Sequence, residues 1–194
     1  MKIDYHLLKR ALTGWENECG DIGVIHTDDK SCFLGLVDVL GHGKKAYDIA
    51  IFAKQYLMEN YQLDLIDMMN GLHLHLKGTI GAVAVLCRIN LINGVMRYVG
   101  VGNISTRLYP NSPMKFIPKD GIIGYLMTSP KEQIASLYPG DILILSSDGV
   151  KENFDLAHYP TLLTGNAQTI ATNLMDNLGK GNDDSSCIVL RYGI

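Results

Sequence analysis

Residues 82–101 read AVAVLCRINLINGVMRYVGV, two apolar runs that meet at the dipeptide Asn93-Gly94. Asn-Gly between apolar runs is a strong β-hairpin signal, because a two-residue turn of this type needs positive φ at both central positions. We therefore predict strands at 82–90 and 95–101, joined by that turn. A tight turn pairs its two strands antiparallel, so the hairpin predicts an antiparallel sheet.

The segments around this hairpin extend the same pattern. Further strands are predicted at 21–27, 32–39, 105–109, 133–138, 141–146 and 185–192. The spacing of apolar residues predicts helices at 44–60, 64–76 and 167–178. Strands in runs and helices in runs favour an α+β fold, with antiparallel sheets and with helices on their outer faces. Residues 110–132 are rich in Pro, Gly and Lys and predict a mobile surface loop.

Composition limits the classes of protein to which the chain can belong. The 194 residues are 47% hydrophobic and 19% charged, which predicts a folded protein, and no linker divides them, so we predict a single domain over 1–194. A net charge of -3 offers no basic surface for nucleic acid. No apolar run reaches the roughly 20 residues that span a bilayer, and the N-terminus lacks a signal peptide. We therefore expect a cytoplasmic protein that binds neither nucleic acid nor membrane.

Aspartates recur at the ends of the predicted strands. Asp38 and Asp148 follow apolar runs, whereas Asp21 and Asp183 precede them, and each has glycine, serine or a second aspartate close by. Any one of these aspartates could be a turn former or a helix cap, and Asp148 precedes a probable helix. Carboxylates at the mouths of several buried strands repel one another unless a cation lies between them. The pattern therefore indicates a metal site.

The type of ligand restricts the metal and the reaction. An all-oxygen set favours Mg²⁺ or Mn²⁺ over zinc or copper, and the four cysteines are too widely spaced for a zinc cluster. A pair of such ions can activate water for in-line attack on a phosphate ester. The sequence contains no G-x-S-x-G elbow, no C-x5-R phosphate loop and no Walker P-loop. We therefore predict two Mn²⁺ or Mg²⁺ ions and a hydrolase without a covalent nucleophile.

Six short motifs occur in a recognisable order along the chain. They are G-D at 20–21, D-x-x-G-H-G at 38–43, G-T at 78–79, V-G-N at 101–103, S-D-G at 147–149 and N-D-D-x-S at 182–186. Together they resemble the metal-dependent protein phosphatases of the protein phosphatase 2C type, and in particular their SpoIIE-like and RsbX-like bacterial branch. The resemblance implies a sandwich of two antiparallel β-sheets flanked by helices (α-β-β-α). It also implies a protein serine/threonine phosphatase.

The resemblance assigns roles to the residues of the metal site. Asp38 would bridge two metal ions, and Val39 would contribute its backbone carbonyl. Asp148 and Asp183 would complete the shell of the second ion, and Asp21 would hold the first ion directly or through water. Two further positions match residues that support the last ligand, namely Asp184 and Ser186.

Other matching positions bear on how the substrate is handled. His42 matches a histidine proposed as the general acid, although it could equally be a structural residue near a helix start. Lys44 and Lys45 could bind phosphate, or could simply be solvated. Many relatives carry an arginine shortly before the first aspartate, and residues 14–18 contain none. Asn103 stands where some members have an aspartate for a third metal, which predicts weak or no binding of a third ion.

A domain of this length most resembles the RsbX type, which dephosphorylates STAS-domain proteins of the stressosome. We therefore expect a phosphorylated STAS-domain or anti-anti-sigma protein as substrate in a bacterial stress response. The loop at 110–132 is the predicted substrate surface, with Met114, Phe116 and Tyr125 as candidates that could equally belong to the core. The alternative is a catalytically silent module that keeps the fold and docks on a signalling partner.

Overall fold

The computed structural model describes residues 1–12, 14, 17–109 and 114–193. Within them the chain forms the following strands and helices: β1 (Ile3–Arg10), β2 (Asp21–Thr27), β3 (Ser31–Val39), α1 (Gly43–Asn60), α2 (Leu65–His75), β4 (Ala82–Asn90), β5 (Val95–Val101), β6 (Ser105–Tyr109), β7 (Met114–Phe116), β8 (Gly121–Ile122), β9 (Leu126–Met127), β10 (Glu132–Ser136), β11 (Ile142–Ser146), a short 3-10 helix (Leu156–His158), α3 (Ala167–Leu178) and β12 (Ser185–Tyr192).

The longer strands form two antiparallel five-stranded sheets. The first sheet has the order β1-β12-β11-β6-β7, and the second sheet has the order β10-β5-β4-β3-β2. The short strands β8 and β9 pair only with each other within the described residues. Helices α1 and α2 pack on the second sheet, and α3 packs on the first. The predicted α-β-β-α sandwich is confirmed.

Both faces of the central strands are buried, as β3 shows. Leu34 and Leu36 contribute to the core between the two sheets, whereas Phe33 and Val37 contribute to the core beneath α1 and α2. Because successive side chains point to opposite faces of a sheet, a strand covered on both faces is apolar at nearly every position. This is why β3 appears in the sequence as a continuous apolar run rather than an alternating one.

Strand β1 is an element that sequence reasoning missed. It pairs antiparallel with β12 over its whole length and forms one edge of the first sheet. Its side chains are only partly buried or exposed, and four of its eight residues are charged or histidine. Such an edge strand has too weak an apolar pattern to stand out.

The segment at 110–132 was wrongly predicted to be an irregular loop. Residues 110–113 lie outside the described part, but the rest contains β7 and the β8–β9 hairpin. Phe116 is buried in the core between the sheets, so it is not a surface residue, whereas Met114 and Tyr125 are exposed. Short strands supply too few residues to show a period, and their pairing depends on neighbours from elsewhere in the chain.

Two local expectations also need correction. β4 ends at Asn90, so the Asn93-Gly94 hairpin has four loop residues instead of two, and Gly94 donates its N–H to the Asn90 carbonyl at 2.8 Å. Gly94 has a φ of 74°, whereas Asn93 is not among the described residues with positive φ. No helix directly follows Asp148 in the described chain, which removes the helix-cap interpretation of this aspartate. Among the described helices, none has the length and hydropathy needed to cross a bilayer.

Candidate metal centre

Strand register brings the four predicted aspartates to one end of the sandwich. Asp21 lies directly opposite Asp38 in the β2–β3 pair. Asp148 follows the end of β11, and Asp183 precedes the start of β12, while β11 and β12 pair antiparallel at that end. One pair of carboxylates therefore comes from each sheet.

The ends of the two sheets enclose a cleft of about 480 Å³. Asp38, Asp148 and Asp183 line it, together with Val39, the predicted backbone ligand, and Asn103. The described lining residues include no lysine or arginine. The charged residues that line the cleft are therefore all acidic, which suits a site for divalent cations.

Asp21, opposite Asp38 in the β2–β3 pair, is not among the lining residues and is 1% exposed. Its Oδ2 accepts a hydrogen bond from Ser147 Oγ at 2.6 Å, whereas its Oδ1 is buried and has no hydrogen-bond partner among the described residues. Burial raises the pKa of Asp21 to about 6. A buried carboxylate oxygen without a partner is costly, and a bound cation would satisfy it directly or through a water molecule.

Asp38 has the most strongly perturbed carboxyl group of the site. Burial and the nearby charges of Asp21, Asp148 and Asp183 raise its pKa to about 9. Each cause disfavours the ionised form, and each is relieved by a positive charge between the carboxylates. The donor set, its burial and its mutual repulsion therefore all fit hard divalent ions.

The four carboxylates of the site do not converge on one point. Among the described residues, no three acidic, histidine or cysteine side chains converge closely enough to form a metal cage. Asp148 Oδ2 instead accepts a hydrogen bond from Asn103 Nδ2 at 2.9 Å, and Asp183 Oδ1 accepts one from the Asp184 N–H at 2.9 Å. Mg²⁺ retains several water molecules when bound by proteins, so carboxylates that share a cleft at longer range still suit it.

The two predicted supporting residues lie directly behind the cleft. Asp184 is buried and accepts hydrogen bonds from the N–H groups of Leu12 and Gly20, at 2.7 and 2.6 Å. It thereby ties the segment that leads into β2 to the start of β12. Ser186 donates its N–H to Ser147 Oγ at 2.9 Å, so it supports the serine that contacts Asp21.

The predicted acid and phosphate-binding residues lie outside the cleft. His42 is the N-cap residue of α1 and is exposed, next to Gly41, which does line the cleft. Lys44 and Lys45 are exposed on the first turn of α1, and Lys44 Nζ lies 3.4 Å from the Asp48 carboxylate. Neither lysine is among the lining residues. Of residues 14–18, where no arginine occurs, Trp15 and Glu16 lie outside the described chain.

Sequence reasoning missed two residues of the site. Ser147 bridges Asp21 and the Ser186 N–H, and its place directly before Asp148 was a signal that could have been used. Asp120 lines the cleft from the segment that leads into β8. Because residues 110–132 read as a loop, nothing in the sequence placed this carboxylate near the others.

The family now follows from comparison with known proteins. Residues 28–193 match the family model of Stage II sporulation protein E (SpoIIE). The chain belongs to the SpoIIE family. The SpoIIE phosphatase domain of Bacillus subtilis is itself described as a PP2C phosphatase domain, and its structure covers 98% of this chain with a TM-score of 0.81 at 19% identity, over 63% of that chain. Membership of the predicted superfamily is confirmed.

Two relatives are more similar to this chain. Phosphoserine phosphatase RsbX of Bacillus subtilis (strain 168) is 31% identical over 136 residues, which cover 68% of this chain and 67% of the relative. A structure from work on the bacterial stressosome, a modular system adapted to control secondary messenger signalling, is 28% identical. It covers 98% of this chain and all of its own, with a TM-score of 0.90. This SpoIIE-family chain thus resembles a phosphoserine phosphatase along most of its length.

Solved structures with the same fold contain the predicted ions. RsbX in complex with magnesium has a TM-score of 0.85 at 21% identity and covers 97% of this chain and 94% of its own. The catalytic domain of the serine/threonine phosphatase PstP, in complex with two manganese ions, has a TM-score of 0.71 at 15% identity, with 97% of both chains covered. The predicted phosphatase class is confirmed by the family match and by the RsbX relative, and these two neighbours hold the ions that the sequence predicts as cofactors. The roles of individual residues stay predictions.

Proposed function

We propose that this SpoIIE-family chain hydrolyses phosphoserine or phosphothreonine in a STAS-domain protein of a bacterial stress-signalling (stressosome) pathway. The observation that carries the chemical part is that Asp38, Asp148 and Asp183, from separate strand ends, line one cleft, while the buried Asp21 lies opposite Asp38 in the β2–β3 pair. The substrate part is supported by the likeness to RsbX and to the stressosome structure. We further propose that the protein acts in the cytoplasm, where such a partner would be found.

The four aspartates and the Val39 carbonyl would hold two Mg²⁺ or Mn²⁺ ions. Asp38 would be the ligand shared by both ions, because the charges of Asp21, Asp148 and Asp183 all act on it. Asp148 and Asp183, beside the ends of β11 and β12, would hold one ion, and Asp21 would hold the other directly or through water. When bound, the ions lower the pKa of water for attack on phosphorus and offset the charge of the phosphoryl group.

The remaining residues position the substrate and handle protons. Breaking the bond between phosphorus and the serine oxygen leaves an alkoxide, which must take up a proton as inorganic phosphate forms. His42, at the edge of the cleft beside Gly41, is the group that we assign to donate this proton. Lys44 and Lys45 lie on the same turn and would attract the phosphorylated segment through their positive charge.

A protein substrate fits the surroundings of the cleft. Ile122 of β8 lines it, and Leu126 lies opposite Ile122 in the β8–β9 pair. Leu126 is 72% exposed, and its neighbour Tyr125 is 78% exposed. Apolar side chains so open to solvent at the rim of a polar cleft are typical of a surface that contacts another protein. This supports the predicted substrate surface, although the residues differ in part from those expected.

A manganese titration tests the function. Hydrolysis of p-nitrophenyl phosphate and of a phosphorylated STAS-domain protein is measured with Mn²⁺ and after EDTA. Asp38→Asn should abolish both activities, whereas the matched control Asp29→Asn, in the exposed β2–β3 turn, should leave both unchanged. Activity that survives EDTA or Asp38→Asn would refute the metal mechanism. Activity on the small ester alone, with none on the STAS-domain protein, would refute the proposed substrate.

A further inference from the structure

The β8–β9 hairpin joins the cleft to helix α2. At one end Gly121 and Ile122 line the cleft. At the other end the N–H of Gly124 donates a hydrogen bond to Nδ1 of His73, at 3.1 Å, across 51 residues of sequence. His73 lies in the last turn of α2 and is partly buried. Among the described residues, this is the only hydrogen bond between the hairpin turn and a side chain, and the side chain belongs to α2.

The backbone of the hairpin is seated firmly around this contact. Ile123 is fully buried, and its N–H and carbonyl both pair with Ala82, at 2.8 and 3.0 Å. Gly124 has a φ of 88°, and a Cβ on it would lie 2.5 Å from the Leu76 carbonyl oxygen at the end of α2. Glycine is thus required here both by the backbone conformation and by the close approach of α2.

The hydrogen bond also specifies the state of the histidine. An N–H donor can be accepted only by a ring nitrogen without a proton, so His73 is neutral here and carries its proton on Nε2. Only two residues, Ile122 and Ile123, separate Gly124 from Gly121 at the cleft wall. The turn that contacts His73 is therefore continuous with the wall of the cleft.

We propose that His73 is a positioning residue, whose Nδ1 holds the β8–β9 hairpin against α2 so that the cleft wall is correctly placed for a phosphoprotein. The kinetic effect that we expect rests on the proposed function. The hydrogen bond between the Gly124 N–H and His73 Nδ1 does not depend on that function. Loss of the acceptor frees the hairpin turn and weakens binding of a protein-sized substrate. A small ester that reaches only the carboxylates does not depend on the hairpin.

The first test follows the hydrogen bond itself by NMR-detected amide exchange in the metal-free full chain. His73→Leu should speed exchange at Gly124 by roughly five- to tenfold, the worth of one hydrogen bond, while β4 amides stay protected. His73→Asn keeps an acceptor oxygen near the position of Nδ1 and should restore most of the protection. Gly124→Ala should also speed amide exchange at position 124, because its Cβ would lie 2.5 Å from the Leu76 carbonyl oxygen and displace the turn from α2. Equal exchange in wild type and His73→Leu would overturn the proposal.

The second test separates positioning from general damage. For a phosphorylated STAS-domain protein, His73→Leu should raise KM by about three- to tenfold, and His73→Asn should largely rescue it. With p-nitrophenyl phosphate, kcat should stay within about twofold of wild type, as it should for the exposed control His158→Leu. Equal losses on both substrates, or identical behaviour of the Leu and Asn variants, would overturn the proposal. If wild type hydrolyses neither substrate, the proposed function fails, and amide exchange still decides the role of His73.

Discussion

Replacing the Asp38 carboxylate should stabilise the protein when metal is absent and prevent the protein from gaining stability when metal is added. The change is Asp38→Asn, which keeps the shape of the side chain and removes its charge. In the folded, metal-free protein, burial and three neighbouring carboxylates raise the pKa of Asp38 to about 9 from its ordinary 3.8. At pH 7 the folded state therefore carries a destabilising group that the unfolded chain ionises freely.

The size of the effect follows from the pKa values. About three pH units separate the ordinary pKa from pH 7, and each unit corresponds to about 1.4 kcal/mol, so the upper limit is about 4 kcal/mol. The carboxylates titrate as a coupled set and share this cost, and we expect Asp38→Asn to raise the free energy of unfolding by about 2 kcal/mol. For a chain of this length that corresponds to a rise in Tm of about 4–8 °C.

Excess metal should make wild type more stable than Asp38→Asn. At a hundredfold excess over Kd, each bound ion stabilises wild type by about 2.7 kcal/mol. Asp38→Asn lacks the carboxylate that we propose as the bridging ligand and should gain little. Thermal unfolding at pH 7 with EDTA and with Mn²⁺ measures both effects, and Asp29→Asn should behave as wild type in both conditions. If Asp38→Asn lowers the Tm in EDTA, the carboxylate is not repelled in the folded state and the reasoning is wrong.

Three further predictions concern the same site. The raised pKa values of Asp21 and Asp38 mean that the folded state binds protons more tightly than the unfolded chain, so the metal-free protein should lose stability as pH rises from about 4 to about 9. Urea unfolding at pH 5 and pH 8 tests this, and a higher free energy of unfolding at pH 8 would contradict it. Asp184→Asn replaces one of two acceptor oxygens with a donor that faces an N–H group, so it should lower the free energy of unfolding by about 2 kcal/mol. Urea unfolding measures this, and an unchanged midpoint would refute the role of Asp184 in tying Leu12 and Gly20 to the start of β12. Asn103→Asp replaces a hydrogen bond to Asp148 with charge repulsion, so calorimetry should detect an additional Mn²⁺ per chain, and an unchanged count would contradict this expectation.

Long elements were accessible from the sequence because their residues repeat a pattern. The continuous apolar run of β3 and the helical spacing of α1 both reflect burial, which local composition records directly. β1 and the β8–β9 hairpin were not recognised, since one is a half-exposed edge strand and the other has two-residue strands. Their formation depends on partners far away in the chain.

The candidate site likewise contains residues that the sequence could identify and others that it could not. Asp21, Asp38, Asp148 and Asp183 could be named from the sequence, because each lies beside an apolar strand with small or acidic neighbours. Asp120 could not, because its segment reaches the cleft only through the pairing of Ile123 with Ala82. The sequence also left open whether Phe116 lies at the surface or in the core. An apolar residue in a three-residue strand gives no period from which its buried face could be inferred.

The sequence by itself determined the α+β class, the antiparallel strands with outer helices and the candidate acidic residues, because burial and strand ends leave local chemical signatures; the two-sheet sandwich followed from the resemblance to a known family. Only the tertiary structure decided that Ser147 holds Asp21, that His42 and the two lysines stand outside the cleft, and that His73 contacts the hairpin. These are contacts between segments distant in sequence. Their geometry depends on how the two sheets and their helices pack, and no local pattern encodes that.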